Sequence, residues 1–270
     1  MRITRTLAIA AVALAAAATP TAAHAQASSA SIAYHGITSA QQVQKFHELS
    51  GKGYVPVSLS ISSGPSYAGV WVKSSGAAWA MYQDMSSQGY QKRFDEYTAK
   101  GYQPTVVTAT GSGDAARFAA VFVKKSGSFM AQHNMTTDQL ITANLKAQAK
   151  GLMMTSIDVY GTDGAPTYAA IWTPNASGVK WHLTYDLSSA DHENAFKIRV
   201  SNGYRPAYVA VDPGGTFTTI WRNDKSGSWY EYTGMSSSGY QSRFDKLKTE
   251  GYFPVQVNSE DGKYAAIWTK

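Results

Sequence analysis

The chain has 270 residues, of which 44% are hydrophobic, 16% charged and 12% aromatic, with 23 glycines, 9 prolines and no cysteine. This is globular composition; it excludes a disordered, collagenous or disulfide-stapled protein and removes thiolate metal sites and cysteine nucleophiles at once. The formal net charge of +6 is spread without any Lys/Arg run, so nucleic acid is not an expected partner, and attraction to anionic wall polymers is weak.

At the amino end, Arg2 and Arg5 precede an apolar run from Leu7 to Ala18 and a small-residue site at Ala23-His24-Ala25. That is the pattern of a secretory signal peptide over residues 1–25, cleaved before Gln26. The apolar run is shorter than the roughly 20 residues a bilayer span needs. The expectation is a secreted chain, extracellular or periplasmic, with no membrane span, a short leader at 26–30 and a single domain over 31–270.

That domain is repetitive. Gly53-Tyr54-Val55-Pro56, Gly101-Tyr102-Gln103-Pro104, Gly203-Tyr204-Arg205-Pro206 and Gly251-Tyr252-Phe253-Pro254 recur, with a degenerate copy at Gly151-Leu152-Met153-Met154, at spacings of 48, 50, 52 and 48 residues. An aromatic-small-small-branched-aromatic string follows in each unit, as in Tyr67-Ala68-Gly69-Val70-Trp71 and Tyr264-Ala265-Ala266-Ile267-Trp268. Each unit reads as one helix followed by three strands. The helices start at Thr38, Ser86, Thr136, Ser188 and Ser236, whose hydroxyls suit an N-cap, and end at Gly51, Gly101, Gly203 and their equivalents, with proline soon after. Met85 and Met235, just before their caps, are placed to pack on Tyr90 and Tyr240.

After the proline the chain alternates. Val57, Leu59 and Ile61 point one way and Ser58 and Ser60 the other, which predicts half-buried strands joined by turns such as Ser63-Gly64-Pro65 and Asp261-Gly262. The last repeat stops after its second strand, while Ser31 to Thr38 aligns position for position with Trp79 to Ser86. The expectation is therefore an α/β (α+β) fold: a closed five-repeat propeller-like ring, each unit a helix plus a three-stranded antiparallel sheet, with the N-terminal strand completing the last sheet.

The Gly-Tyr-x-Pro and Tyr-Ala-Ala-Ile-Trp strings, with Met-Ser-Ser-x-Gly-Tyr-Gln-x-Arg-Phe-Asp at 85–95 and 235–245, resemble the bacterial tandem repeat domain. That family is found in secreted proteins, often ahead of a β-lactamase-like serine hydrolase domain, and is similar to the N-terminal region of fungal polyglycine hydrolases. The resemblance covers about 31–270 and implies a fold but no catalytic residues. The hydrolase's Ser-x-x-Lys motif occurs once, at Ser177-Gly178-Val179-Lys180, in an expected turn.

Residues repeated in every unit, such as Trp71, Trp172, Trp221 and Trp268, read as packing, so a site is sought where the repeat is broken. The polar column of the first strands reads Ser60, Thr108, Asp158, Ala210 and Asn258; if that face lines the ring axis it surrounds a central polar pocket. The third-strand column reads His35, Gln83, His133, Tyr185 and Thr233. In the third and fourth helices Asn144 replaces a phenylalanine and His192 a tyrosine, with Asp191, His192 and Glu193 read as a solvated helix start.

The function these features favour is a non-catalytic recognition module for an extracellular polymer, either a cell-surface glycan or an extended peptide. It would be held in the axial pocket or across a blade face, with Ser60, Thr108, Asp158, Asn258, His35, Gln83, His133 and Tyr185 as ligand-binding candidates. One alternative is a hydrolase or lyase using Asp158 with His35 or His133. Another is a protein-protein partner of a separately encoded secreted hydrolase, signalled by an exposed apolar patch around Met153 and Met154. No cofactor or metal is called for, and the chain is expected to be a monomer.

Overall fold

The computed structural model describes residues 31–74 and 76–270. The proposed signal peptide and leader, and Ser75, lie outside the described residues. The chain builds five units of identical order. Unit 1 is β1 (Ile32–Thr38), α1 (Ser39–Gly51), β2 (Tyr54–Ser62) and β3 (Ser66–Lys73); unit 2 is β4 (Trp79–Met85), α2 (Ser87–Ala99), β5 (Tyr102–Thr110) and β6 (Arg117–Lys124). Unit 3 is β7 (Met130–Met135), α3 (Thr137–Ala149), β8 (Leu152–Thr162) and β9 (Ala165–Pro174); unit 4 is β10 (Lys180–Leu187), α4 (Ser189–Ser201), β11 (Arg205–Val211) and β12 (Phe217–Asn223). Unit 5 is β13 (Trp229–Met235), α5 (Ser237–Thr249), β14 (Phe253–Glu260) and β15 (Lys263–Thr269). Among the described residues no helix is long and apolar enough to cross a membrane.

Each helix forms where its cap allows. The hydroxyls of Thr38, Ser86, Thr136, Ser188 and Ser236 accept the backbone N–H three residues on, and Gln41 and Gln139 return the bond to complete capping boxes in α1 and α3. One helix end differs from expectation. Gly51 is still helical, and the left-handed residue that stops α1 is Gly53, φ 75°, equivalent to Gly101, Gly151, Gly203 and Gly251.

The three strands of each unit form one antiparallel sheet, but not in the predicted phase. Order in the first sheet is β1-β3-β2, with Ile32 opposite Trp71, and order in the last is β13-β15-β14. The N-terminal strand therefore belongs to the first sheet and does not complete the last one. Each unit leads with a strand, and β3 and β4 belong to different sheets. The strand at the amino end and the missing strand at the carboxyl end mark only where the repeat begins; a tandem array reads equally well from either phase.

The ring closes nonetheless. Inner strands touch in the order β2, β5, β8, β11, β14 and back to β2. One apolar cluster spans each junction: Leu59 and Trp71 with Val106 and Val121 between units 1 and 2, and Trp268 and Val257 with Ala68 and Val70 between units 5 and 1. Trp71, Phe122, Trp172, Trp221 and Trp268 are all fully buried, and all but Trp221 belong to a cluster that spans a junction. The inner strands run in the same direction around the axis. Loops that follow them gather at one end of the ring and the carboxyl ends of the helices at the other.

The inner strands are buried on both faces, a correction to the half-buried reading. Their apolar face packs on a neighbouring blade, and their polar face packs on the axis. Every outer strand carries a bulge near its end, at Gly36, Asp84, Asn134, Asp186 and Gly234, all with φ between 53° and 65°. Asp84 and Asn134 use that kink to reach the start of the preceding helix, at Ser39 and Ser87.

Candidate functional site

The column Ser60, Thr108, Asp158, Ala210 and Asn258 does converge on the axis, where every member is buried. Inner strands of adjacent units share no ladder, so each needs other partners for its inward backbone donors. The column supplies them. Thr108 Oγ1 accepts from Ile61 N at 3.1 Å, Asp158 Oδ2 from Ala109 N at 2.7 Å, Asn258 Oδ1 from Val211 N at 2.8 Å and Ser60 Oγ from Ser259 N at 2.9 Å. Four of five positions are filled. Ala210 has no acceptor, and across the space it leaves Asn258 Nδ2 donates to Asp158 Oδ1 at 2.7 Å.

A second layer repeats the device, with Ser58 Oγ accepting from Val257 N and Gln256 Oε1 from Val209 N. At the loop end, Thr110 Oγ1 donates to Glu260 Oε1 at 2.9 Å, and Thr218 and Thr216 donate to Asp212 Oδ2. The expected central pocket is thus a hydrogen-bonded polar plug. Burial pushes its three carboxyls up from their ordinary range: Asp158 to about 6, Asp212 to about 7 and Glu260 to about 8. Repulsion from Asp158 adds to the rise at the other two.

The second column lies on the outer strands, away from the axis. His35 packs on Tyr240 and Tyr264 of unit 5, with ring centroids 4.6 and 5.4 Å apart, and its Nε2 is 3.1 Å from Gln241 Oε1. His133 packs on Tyr90 and Phe118 of unit 2, and burial holds its pKa below the usual histidine value. Gln83 Nε2 donates to the Ser39 carbonyl oxygen and to Asp84, and Tyr185 is exposed. Neither imidazole shares a hydrogen-bond partner with Asp158, so the acid-histidine pair of the hydrolase alternative is not assembled. Among the described residues no three His, Asp or Glu side chains are grouped to hold a metal ion.

Two members of the outer column, His133 and His35, line grooves between units. One is an open cavity of about 610 Å³, bounded by Gln91 and Phe94 of α2, by consecutive residues Ala131 to Met135 of β7, and by Asp138, Thr142 and Lys146 of α3. An equivalent cavity of about 220 Å³ lies beside His35, against Tyr240, Gln241 and Phe244 of α5. β7 has a single ladder partner, β9. Its other edge faces the groove, between its own helix and the helix of the unit before.

Several singled-out departures prove structural. Asn144 Oδ1 accepts from Trp172 Nε1 at 2.9 Å. His192 is buried rather than solvated, stacked on Trp221 and paired with buried Glu231 at 3.2 Å. Met153 and Met154 are buried, so the expected apolar patch is not there. Ser177 sits in a turn. Sequence reasoning missed Gln256, Glu260 and Asp212, whose only signal was their place two residues from the Asn258 and Ala210 positions of the polar column, and Glu231, the one polar residue where the other units have Ala33, Met81, Ala131 and Leu183.

The repeat boundaries agree with an independent comparison. The family model described as polyglycine hydrolase-like, structural repeat matches residues 28–74, 76–125, 126–175, 178–224 and 226–270. Each match spans one strand-helix-strand-strand unit, including the degenerate third. With five matches covering the ring from end to end, the chain belongs to the polyglycine hydrolase-like structural repeat family.

Proposed function

We propose that the chain is a secreted, non-catalytic recognition module that holds an extended extracellular polymer in its outer grooves, with peptide favoured over glycan. The observation that carries this reading is the free edge of β7 lying in an open groove between α2 and α3. An unpaired strand edge offers backbone donors and acceptors in a row, which an extended peptide matches as an added strand. Residues of α2 and α3 wall the groove beside that edge. The family description names polyglycine hydrolase, and a glycine-rich chain presents little besides the backbone that such an edge reads. His133 and His35 line those grooves, and Gln83 and Tyr185 hold the same column position on β4 and β10. Ser60, Thr108, Asp158 and Asn258 support this reading indirectly, by fixing the blades that frame the grooves.

The test is hydrogen exchange on the secreted chain with and without a soluble glycine hexapeptide, with cello- and chito-oligosaccharides in parallel. Slowed exchange of outer-strand amides in the presence of peptide is expected. Protection by a sugar alone, or by no probe, or turnover of any probe, would overturn the proposal.

A further inference from the structure

The repeat places a counterpart of the α2–α3 groove between α3 and α4, and the residues there differ in chemistry. α2, α3 and α4 each have 13 residues and start at Ser87, Thr137 and Ser189. Gln91 of the α2–α3 groove therefore corresponds to Ile141 in the α3–α4 groove, and Asp138 and Lys146 correspond to Ala190 and Ile198. Leu145, four residues after Ile141 and so on the same flank, stands where α2 has Asp95 and α5 has Asp245. On the floor, Tyr185 of β10 stands where β7 has His133. Ile141, Leu145, Tyr185 and Ile198 are 37%, 61%, 36% and 60% exposed, and they are four of the seven large apolar side chains so exposed among the described residues. By the repeat, Ile141, Tyr185 and Ile198 stand at the α3–α4 counterparts of Gln91, His133 and Lys146, which line the α2–α3 groove, and Leu145 stands one turn beyond Ile141.

Its charge is placed at its ends. β10 starts at Lys180 and runs to Asp186, with Asp191 in the first turn of α4 beyond it. None of the three has an ion-pair partner among the described residues. β10, like β7, has one ladder partner and a free outer edge. A strand added there antiparallel would bring its amino end to Asp186 and Asp191 and its carboxyl end to Lys180. Aliphatic walls offer nothing to the hydroxyls of a sugar. Because both faces of an added strand would meet a helix, the matching sequence is a continuous apolar run, as in strands buried on both sides.

We infer that the α3–α4 groove docks an extended peptide of consecutive aliphatic residues, antiparallel to β10, with a basic or free amino end at Asp186 and Asp191 and an acidic end at Lys180. This rests on the reading of the grooves as polymer sites and names the ligand of one of them.

The probe is the peptide Lys-Val-Ala-Val-Ala-Val-Glu, titrated calorimetrically into the secreted chain, beside the order-reversed Glu-Val-Ala-Val-Ala-Val-Lys. Expected results are binding of the first peptide, at least tenfold weaker binding of the second, and protection of β10 amides from exchange. Leu145→Glu, at a site exposed enough to leave the melting temperature unchanged, should weaken binding at least tenfold, whereas Gln91→Glu should not. Equal affinity for both peptides, or indifference to Leu145→Glu, would overturn the inference. Loss of binding through Gln91→Glu alone would move the site to the α2–α3 groove, so that the general reading stands and this assignment falls. If the aliphatic peptide fails to bind while glycine hexapeptide still protects an outer strand, the assignment again falls by itself; if neither binds, both fall.

Discussion

Replacing Asn258 by alanine should cost more stability at pH 8 than at pH 4.5, and the difference follows from the axial plug. Asn258 makes two buried bonds, accepting from Val211 N and donating to Asp158 Oδ1. Loss of the first strands a backbone donor, at about 1–3 kcal/mol; loss of the second takes a hydrogen bond from a buried carboxylate, at about 1.5–3 kcal/mol. With Asp158 ionised in the folded and unfolded chain alike, the expected deficit at pH 8 is about 3–5 kcal/mol. The Asn258 bond also helps hold down the Asp158 pKa, already raised by burial to about 6, so its removal raises that value further. A carboxyl raised in the folded state contributes stability that is intact below its unfolded value and is lost as pH rises through its folded value. Both proteins lose stability alike up to about pH 6, the folded value of the unsubstituted chain, so the deficit opens between about pH 6 and pH 8, and below that only the cost of stranding Val211 N and of one neutral hydrogen bond remains. Urea denaturation of both proteins at the two pH values measures this. A deficit below about 1 kcal/mol, or one equal at both values, would mean that the axis is wet and that the network described here does not hold the blades.

Glu260, raised to about 8 by burial, has the same sign: Glu260→Gln should leave stability at pH 4 unchanged and add on the order of 2 kcal/mol at pH 9, seen as a flatter alkaline limb in thermal melts. Trp172→Phe and Trp268→Phe remove the same ring atoms from fully buried sites, but Trp172 Nε1 bonds Asn144 whereas Trp268 Nε1 is buried without a partner. Trp172→Phe should be the more destabilising by about 1 kcal/mol, measured by denaturant midpoint. Thr136→Ala removes the capping box of α3 and should cost about 1 kcal/mol, with Thr136→Ser close to neutral.

The helices were legible residue by residue. A hydroxyl cap and a later left-handed glycine are local signals, and the single slip, Gly51 for Gly53, arose where two glycines lie within three residues. Strand partnership was not legible. Ile32 to Thr38 carries the same pattern as Trp79 to Met85, and nothing in that pattern says whether a strand pairs forwards or backwards along the chain. The polar column was found from alternation, which establishes only that the two faces of a strand differ. That Ser60 and Thr108 meet backbone rather than water depends on inner strands that approach without sharing a ladder. The grooves depend on which flank of each helix faces the next blade, so Leu145 and Ile198 gained meaning only once α3 and α4 were side by side.

Because each sheet is drawn from one continuous stretch of chain, no blade borrows a strand from another. Ser58 and Ser60 join the last blade to the first through the same kind of side-chain contact used at the other junctions. Start and finish of the polypeptide are thus topologically arbitrary: cutting any link between blades and joining residue 31 to residue 270 would give a permuted chain with every hydrogen-bonded ladder intact. A gene encoding such a protein can lengthen by copying one blade without leaving any strand orphaned.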